Sequence, residues 1–187
     1  MIRPAKKEDC SKAAALMVDA IHDIAIALTG ESNKTKVVEQ MEKFFCEEVN
    51  RLSYRNCLVK TVGEQPVGIV AAYHGKDAQA LDAPILKHLR NSIGGTSARL
   101  DIEADPSDYY IDMLSVSPEF GGRGYGTELL QAAIRLAREQ GYRTVSLNVE
   151  ENNVKARKLY ERLGFEWKKD IVIHHHTFAY MVKSLQA

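Results

Sequence analysis

The chain contains few cysteines and no surplus of charge of either sign. Three cysteines stand among 187 residues, and none has a partner in a C-x-x-C pair. An odd number of widely spaced cysteines is typical of reduced thiols, so we expect a cytoplasmic protein with no metal or redox site. The 25 basic residues balance the 25 acidic ones. This balance argues against general electrostatic binding to nucleic acids or membranes.

Long apolar runs are also missing. No stretch approaches the roughly 18 apolar residues that a membrane span requires. The N-terminal residues Met-Ile-Arg-Pro-Ala-Lys-Lys lack the apolar core of a signal peptide. Basic residues are not interleaved with aromatic ones, so stacking on nucleic-acid bases is not expected. The length suffices for one sizeable core, and we predict a single domain over residues 1–187.

Glycine, in contrast, is concentrated in one short segment. Four glycines fall within six residues, at positions 121, 122, 124 and 126. A strand pattern over 109–116 precedes them, and a helical pattern follows from Thr127 to Gln140. A strand that enters a helix through a glycine-rich turn leaves backbone N–H groups unpaired at the helix N-terminus, where phosphate binds readily. The sequence therefore predicts an anion-binding turn.

Two well-known nucleotide loops do not fit this turn. A P-loop requires Lys and then Ser or Thr after its last glycine, whereas Thr127 follows Gly126 directly. A dinucleotide fingerprint requires G-x-G-x-x-G, and Leu129 or Thr127 stands where its third glycine should be. The spacing therefore disfavours an ATP- or NAD-binding protein, and a flexible turn without a ligand is the other alternative.

The remaining periodicity predicts an α/β (α+β) domain. Strands are expected near residues 1–4, 57–62, 67–73, 109–116, 144–149, 165–173 and 177–182. Helices are expected over 8–28, 34–50 and 127–140, and from Asn153 to Leu163. Because strands and helices do not alternate strictly, we predict a mixed, mostly antiparallel central sheet flanked by helices.

Residues 74–108 are predicted to form an insertion. A short helix is expected over 83–89, and Gly94-Gly95 is expected to break the chain. One interpretation is a solvated loop. The other is a lid that attracts a cationic amine through its acidic residues, Asp101, Glu103, Asp105 and Asp108.

A second motif follows the glycine turn at the distance of one helix and one strand. It reads Asn153-Val-Lys-Ala-Arg-Lys-Leu-Tyr160-Glu-Arg-Leu-Gly-Phe165. Together with Leu114-Ser-Val-Ser-Pro118 and Gly122-Arg-Gly-Tyr-Gly126, it resembles the GNAT superfamily of acyl-CoA-dependent N-acetyltransferases. The resemblance is strongest over residues 109–166, and the two motifs at this separation are more specific than either alone.

The resemblance implies a GNAT fold whose central sheet is splayed between the strands at 109–116 and 144–149. It also implies acetyl-CoA as co-substrate and no metal. The pantetheine arm would pair with backbone near Leu114 to Val116, and the pyrophosphate would lie on N–H groups of the glycine turn. The cofactor-binding residues implied are Leu114, Ser115, Val116, Gly121, Gly122, Arg123, Gly124, Tyr125, Gly126, Thr127 and Asn153.

Tyr160 is the catalytic residue that the resemblance implies. It would face the cofactor sulfur and act as general acid. The chemistry agrees, because a phenol with a pKa of about 10 can protonate a thiolate of similar basicity. From spacing alone, Tyr160 could equally be a core residue, since it shares a helix face with Ala156 and Leu163.

Two positions depart from the family pattern. Many relatives carry Arg or Gln where this chain has Gly121, and some carry at position 148 a Glu that deprotonates the amine. Asn148 cannot take a proton, so the base must lie elsewhere or water must serve. We predict Asp112 as the base, because it interrupts an apolar strand on the same face as Leu114, where desolvation would raise its pKa. A structural role for Asp112 is the alternative, and Glu150 and Glu151, at the end of the neighbouring strand, are the other candidates for the base.

The predicted function is transfer of an acetyl group from acetyl-CoA to a primary amine of a small molecule or a protein. The amine is expected to be cationic if residues 101–108 face the cleft. An acyl-CoA-binding sensor without transfer activity is the alternative, which Gly121 and Asn148 support. A homodimer is compatible with the family but is not specified. His174-His-His176 is not expected to bind zinc, since neighbouring strand residues point to opposite faces.

Overall fold

The computed structural model describes residues 1–93 and 98–186. Within these ranges the chain forms one sheet of seven strands and six helices. The strands are β1 (Ile2–Pro4), β2 (Cys57–Val62), β3 (Gln65–His74), β4 (Tyr109–Val116), β5 (Thr144–Glu150), β6 (Glu166–Ile173) and β7 (His176–Ser184). The helices are α1 (Cys10–Ile21), α2 (Asp23–Thr29), α3 (Lys34–Cys46), α4 (Ala78–Ile93), α5 (Tyr125–Glu139) and α6 (Val154–Arg162). Each of these helices is too short or too polar to span a bilayer.

The sheet is mixed and mostly antiparallel, as predicted. Its strand order is β1-β2-β3-β4-β5-β7-β6. The β4–β5 pair is parallel, whereas the other neighbouring strands run antiparallel. Helix α5 makes the crossover between the two parallel strands, because a parallel connection must return over a face of the sheet.

The predicted splay between β4 and β5 is confirmed. The two strands pair at three positions, of which the last joins Ile111 to Leu147. Beyond that point β4 continues against β3 as far as Val116. The β3–β4 register also shifts there, so Asp112 is an extra residue on the β4 side of a bulge. A bulge redirects a side chain and twists its strand, which suits a place where two strands separate.

Apolar layers cover both faces of the sheet. Helices α1, α3 and α4 bury Met17, Phe44 and Ile85 on one face. Helix α5 packs on the other face through Leu129 and Leu130, together with neighbouring apolar side chains that recur at helical spacing. The sheet therefore lies between two hydrophobic layers, and the splay gives access to its middle.

The predicted helix over 8–28 is broken into two helices. His22 has φ 43° and ψ −113°, a conformation that cannot continue an α-helix, so α1 ends before it and α2 begins after it. The helix predicted over 34–50 ends at Cys46, because Glu47 is already extended. Val49, expected on its apolar face, is 59% exposed.

The short helix predicted over 83–89 is part of a longer one, since α4 runs from Ala78 to Ile93. The first half of the 74–108 segment is therefore helical and is not a solvated loop. Helix α4 packs Ile85 and Leu89 into the layer formed by α1 and α3, and both side chains are fully or nearly buried. This packing, and not local propensity, stabilises a helix that contains Pro84. The predicted break at Gly94-Gly95 lies outside the described residues.

Candidate active site

A cavity of 380 Å³ opens where β4 and β5 separate. Strand β4 contributes Tyr110, Asp112 and Leu114 to its lining, and strand β5 contributes Asn148. Tyr160 of α6 closes one side, and the junction of α1 and α2 forms the opposite wall. The break between those helices therefore shapes the cavity. The splay brings residues from both motifs of the sequence to one place.

The glycine turn leads from the end of β4 into α5. Gly122 and Gly124 have φ of 73° and 79°, values that a side chain would strain. A Cβ built on either glycine would have nothing within 4 Å. Among the described residues, no carbonyl accepts from the N–H groups of residues 122–127. These amides and the positive end of the α5 dipole suit an anion.

Gly121 differs from the other predicted turn residues. Its N–H donates to the carbonyl of Pro118 at 3.1 Å, so this amide is already used within the turn. Its φ of −62° also places it outside the left-handed region. The prediction that Gly121 binds the cofactor through its amide therefore has no support from the geometry, whereas the amides after it remain available.

Two cations lie beside the glycine turn. The Arg123 guanidinium stacks on the Phe120 ring, 5.1 Å from its centroid. Lys60, from β2, places Nζ 4.4 Å from the centroid of the Tyr125 ring and contacts Glu128. Lys60 could not be assigned to the turn from the sequence, because β2 is distant along the chain and comes close to the turn only when the sheet forms. Arg123 adds to the positive potential at the start of α5, whereas the charge of Lys60 is balanced by Glu128.

Strand β4 exposes one edge to the splay. Leu114, Ser115 and Val116 pair with Val70, Ile69 and Gly68 of β3, on the side away from β5. Alternate N–H and C=O groups along the opposite edge have no β5 partner beyond Ile111 within the described sheet. An extended ligand could therefore hydrogen-bond to this edge as a strand does.

Asn153 and Tyr160 lie on α6 as the second motif requires. Asn153 caps the helix, since its Oδ1 accepts from the N–H of Ala156 at 3.1 Å. Tyr160 packs edge-on against Phe165, with ring centroids 6.1 Å apart. Burial raises the pKa of Tyr160, so its phenol is protonated at neutral pH. Both side chains line the cavity.

A buried arginine gathers three carboxylates at the inner end of the cavity. Arg51, which is 4% exposed, donates through Nε and Nη2 to the two oxygens of Asp112, at 3.0 Å and 2.6 Å. Its Nη2 also donates to Glu103 Oε2 at 2.7 Å. Its Nη1 lies 3.6 Å from Asp82 Oδ1, which is too long for a hydrogen bond.

Asp112 lines the cavity beside Leu114, in agreement with the predicted shared face. Burial raises the pKa of Asp112, and the ion pair with Arg51 opposes that rise. Both carboxylate oxygens already accept hydrogen bonds from Arg51. The role of Asp112 as base stays a prediction, and the structure gives this residue a structural role as well.

Glu103 lies next to Asn148, although 45 residues separate them in sequence. Asn148 Nδ2 donates to the Glu103 backbone carbonyl and to the Tyr110 hydroxyl, both at 2.9 Å. The Tyr110 hydroxyl donates in turn to Glu103 Oε2 at 3.0 Å. Asn148 Oδ1 is buried and has no hydrogen-bond partner among the described residues. No local pattern in the sequence could indicate this arrangement.

The other acidic residues of the 101–108 segment turn away from the cavity. Asp105 binds Lys168 at 2.9 Å and Lys169 at 2.6 Å. Asp108 accepts from the Tyr180 hydroxyl at 2.6 Å. Asp101 Oδ2 accepts from the N–H of His174 at 2.8 Å. Of the four acids expected to form a lid that attracts a cationic amine, Glu103 is the one that lines the cavity.

The histidine run forms the turn between β6 and β7. His174 and His175 have φ of 47° and 68°, so the strand alternation considered for this run does not apply to them. They lie between β6, which ends at Ile173, and β7, which begins at His176. His176 Nδ1 lies 3.3 Å from Glu150 Oε1. His174 and His176 line the mouth of the cavity. Within the described residues, no group of three His, Cys, Asp or Glu is placed to hold a metal ion.

The comparisons with known proteins agree with this geometry. Residues 18–165 match a family model described as the Acetyltransferase (GNAT) family. A segment of 59 residues is 46% identical to an uncharacterized N-acetyltransferase of Methanocaldococcus jannaschii, covering 32% of this chain and 26% of that protein. The aligned segment thus spans about a quarter of that curated relative.

Two solved structures are similar along the whole chain. One, titled "The crystal structure of acetyltransferase", has a TM-score of 0.81 and 29% identity and covers 100% of both chains. The other, an N-acetyltransferase from Staphylococcus aureus Mu50, has a TM-score of 0.83 and 26% identity. It covers 97% of this chain and 99% of that one.

Proposed function

Because the chain belongs to the Acetyltransferase (GNAT) family, we propose that it transfers the acetyl group of acetyl-CoA to a primary amine of a small molecule or a protein. The observation that carries this proposal is the splay between β4 and β5. It connects the glycine turn to the cavity that Tyr160 lines. One elongated ligand can therefore reach both places.

The chain offers a distinct contact to two parts of acetyl-CoA, the diphosphate and the pantetheine arm. The amides of residues 122–127 bind the diphosphate, and Arg123 adds positive charge beside it. The unpaired edge of β4 from Leu114 to Val116 hydrogen-bonds the pantetheine arm. Asn153 lies beside that arm at the N-terminus of α6. The residues present thus fit the molecule that the family uses.

Tyr160 acts as the general acid in this proposal. Bound acetyl-CoA supplies an acyl carbon that is activated by its thiolate leaving group. Tyr160 donates the hydroxyl proton to the sulfur and then accepts the proton that the new amide nitrogen loses, so the phenol is restored. Burial raises the pKa of Tyr160, so its phenol still carries the proton at neutral pH when the thiolate leaves.

The acceptor must reach the cavity as an amine and leave as an amide. Amines are protonated at neutral pH, so one proton must be removed before the nitrogen can react. Four carboxylates and three histidines line the cavity, and each of these side chains is a possible proton acceptor: Asp23, Glu103, Asp112, Glu150, His22, His174 and His176. The proposed acceptor is therefore a cationic amine.

A binding sensor without transfer activity is the alternative. Asn148, which cannot deprotonate an amine, favours it. Isothermal titration calorimetry with CoA, together with a thiol-release assay over a panel of primary amines, separates the two. We expect CoA binding and amine-dependent thiol release. Binding without release from any amine supports the sensor, and an absence of binding contradicts both.

A further inference from the structure

The carboxylate cluster around Arg51 carries more negative than positive charge. Asp82, Glu103 and Asp112 surround one guanidinium, so two negative charges lack a partner in the cluster when all three are ionised. Burial raises the pKa of Asp82 to about 6, so this residue is mostly ionised at neutral pH. Unbalanced buried charge is costly, and a cation entering from the cavity would reduce that cost.

Two oxygen atoms beside the cavity have no hydrogen bond. Glu103 binds Arg51 and Tyr110 through Oε2, and none of the hydrogen bonds among the described residues uses Oε1. Asn148 Oδ1 is buried without a partner in the described part of the chain. An ammonium group has three N–H donors and no acceptor, so it matches a site that offers two acceptors and negative charge.

The other cavity carboxylates are less available than Glu103. Arg51 occupies both oxygens of Asp112. Glu150 lies 3.3 Å from His176 at the mouth of the cavity. Asp23 begins α2 on the opposite wall. Glu103 combines an unused oxygen with a fixed position, because Arg51 and Tyr110 hold its second oxygen.

With acetyl transfer as the premise, we propose that Glu103 removes the proton of the acceptor's ammonium group. The N–H bond breaks and its electron pair stays on nitrogen, while the proton adds to Glu103 Oε1 and later leaves to solvent. The amine then attacks the acetyl carbon as a neutral nucleophile. Asn148 Oδ1 accepts a second N–H of the same group and so orients its lone pair. Arg51 is a positioning residue that holds Glu103.

The same site sets the class of acceptor. A carboxylate on the amine-bearing carbon would lie against the surplus negative charge of Glu103 and Asp112 and would be repelled. The site therefore selects cationic primary amines without an adjacent carboxylate. Free amino acids are excluded by this criterion, whereas their decarboxylated or amidated counterparts are accepted.

The pH dependence of Glu103→Gln tests the proton acceptor. Gln retains an oxygen for Arg51 and Tyr110, so the fold is preserved. At pH 7 we expect kcat/KM for the amine to fall about 100-fold or more. The loss should shrink as pH rises toward the pKa of the amine, because solution then supplies the neutral form. Glu48→Gln, at an exposed ion pair outside the cavity, is the matched control and should resemble wild type.

Two outcomes overturn the assignment of Glu103 while acetyl transfer stands. If kcat/KM of Glu103→Gln depends on pH in the same way as that of wild type, Glu103 does not take part in proton transfer. If the kcat/KM of Asp112→Asn, and not that of Glu103→Gln, falls at pH 7 and recovers as pH rises, the proton acceptor is Asp112. An absence of transfer by wild type to any amine, despite CoA binding, contradicts the proposed function itself.

The acceptor class can be tested on wild type alone, whatever the folding of the variants. Phenethylamine, phenylalaninamide and phenylalanine share one ring and differ at the carbon beside nitrogen. We expect kcat/KM for the first two to exceed that for phenylalanine at least 10-fold. Calorimetry without acetyl-CoA should rank the binding of the three compounds in the same way. Equal values for all three compounds contradict the proposed selectivity.

Discussion

Arg51 and Asp112 meet through two hydrogen bonds of 2.6 Å and 3.0 Å, although 61 residues separate them. Asp112 stands at the bulge of β4, and Arg51 comes from the connection between α3 and β2. The pair therefore ties that connection to the place where the sheet opens. Because both groups are buried, each depends on the other for compensation of its charge.

Loss of this arginine should be costly. Arg51→Met leaves Asp112 and Glu103 buried without their cation, and we expect a loss of about 3–5 kcal/mol in the free energy of unfolding. Urea denaturation measures it. Arg55→Met is the control, since Arg55 and Glu48 form an exposed ion pair that solvent screens, and its loss should change stability much less. Equal losses in the two variants would show that the buried cluster is not a stabilising unit.

Asp82 should make stability depend on pH. Burial raises its pKa from 3.8 to about 6 in the folded chain. The folded state thus binds the proton more tightly than the unfolded state, and this contribution is complete below about pH 4 and lost as pH rises through about 6. Asp82→Asn should gain up to about 3 kcal/mol over wild type at pH 7.5 and nothing near pH 4. Thermal unfolding between pH 4 and 7.5 measures the stability difference between Asp82→Asn and wild type, and this difference should grow as pH rises.

Tyr160→Phe should lower turnover without affecting cofactor binding. Removal of the proton donor is expected to reduce kcat about 100-fold or more, whereas the Kd of CoA changes less than about twofold. Thiol release and calorimetry measure the two quantities. Tyr142→Phe is the control, because Tyr142 stacks on Tyr109, 4.9 Å between centroids, outside the cavity. Unchanged turnover would exclude Tyr160 from proton transfer.

Gly124→Ala should weaken CoA binding. The positive φ of Gly124 strains any side chain, at a cost of about 1–2 kcal/mol, and relief of that strain moves the amides of the turn. We expect roughly a tenfold loss of CoA affinity by calorimetry. Gly63→Ala carries a similar strain at φ 58° in the β2–β3 hairpin, and its CoA affinity should remain that of wild type. An equal loss of CoA affinity in both variants would mean that the glycine turn has no particular role in CoA binding.

Ile85→Ala tests the packing of α4. Ile85 is fully buried, and removal of its outer carbons should cost about 2–5 kcal/mol. Val172→Ala removes carbons from a side chain that is 63% exposed on β6, and the cost should stay within about 0.5 kcal/mol. Chemical denaturation compares the two. A small effect at Ile85 would show that α4 contributes little to the core.

Local features of the fold could be predicted from the sequence. Strand 109–116, the glycine turn and the helix that carries Tyr160 each depend on spacing within a few residues, and each is found where expected. The splay followed from the resemblance that these motifs carry. Short-range patterns suffice wherever one turn or one helix face determines the structure.

Features that depend on distant contacts could not be predicted. The break at His22 has no glycine or proline to mark it. Helix α4 forms around a proline because the core requires its apolar face. Arg51, Glu103 and Asn148 meet only after the sheet has assembled, since no spacing relates them. Sequence reasoning therefore named Asp112, Glu103 and Asn148 separately, but it missed Arg51 and the contacts that join these residues.

The short β4–β5 pairing makes the middle of the sheet a mechanical weak point. Only three residue pairs join the strands on one side of this line to those on the other within the described sheet. A ligand bound along the gap adds hydrogen bonds between the two separated strands that the protein alone lacks, and these bonds are lost again when the ligand leaves. Bound ligand should therefore slow the exchange of backbone amide hydrogens with deuterated solvent in β4 and β5 and in the strands next to them.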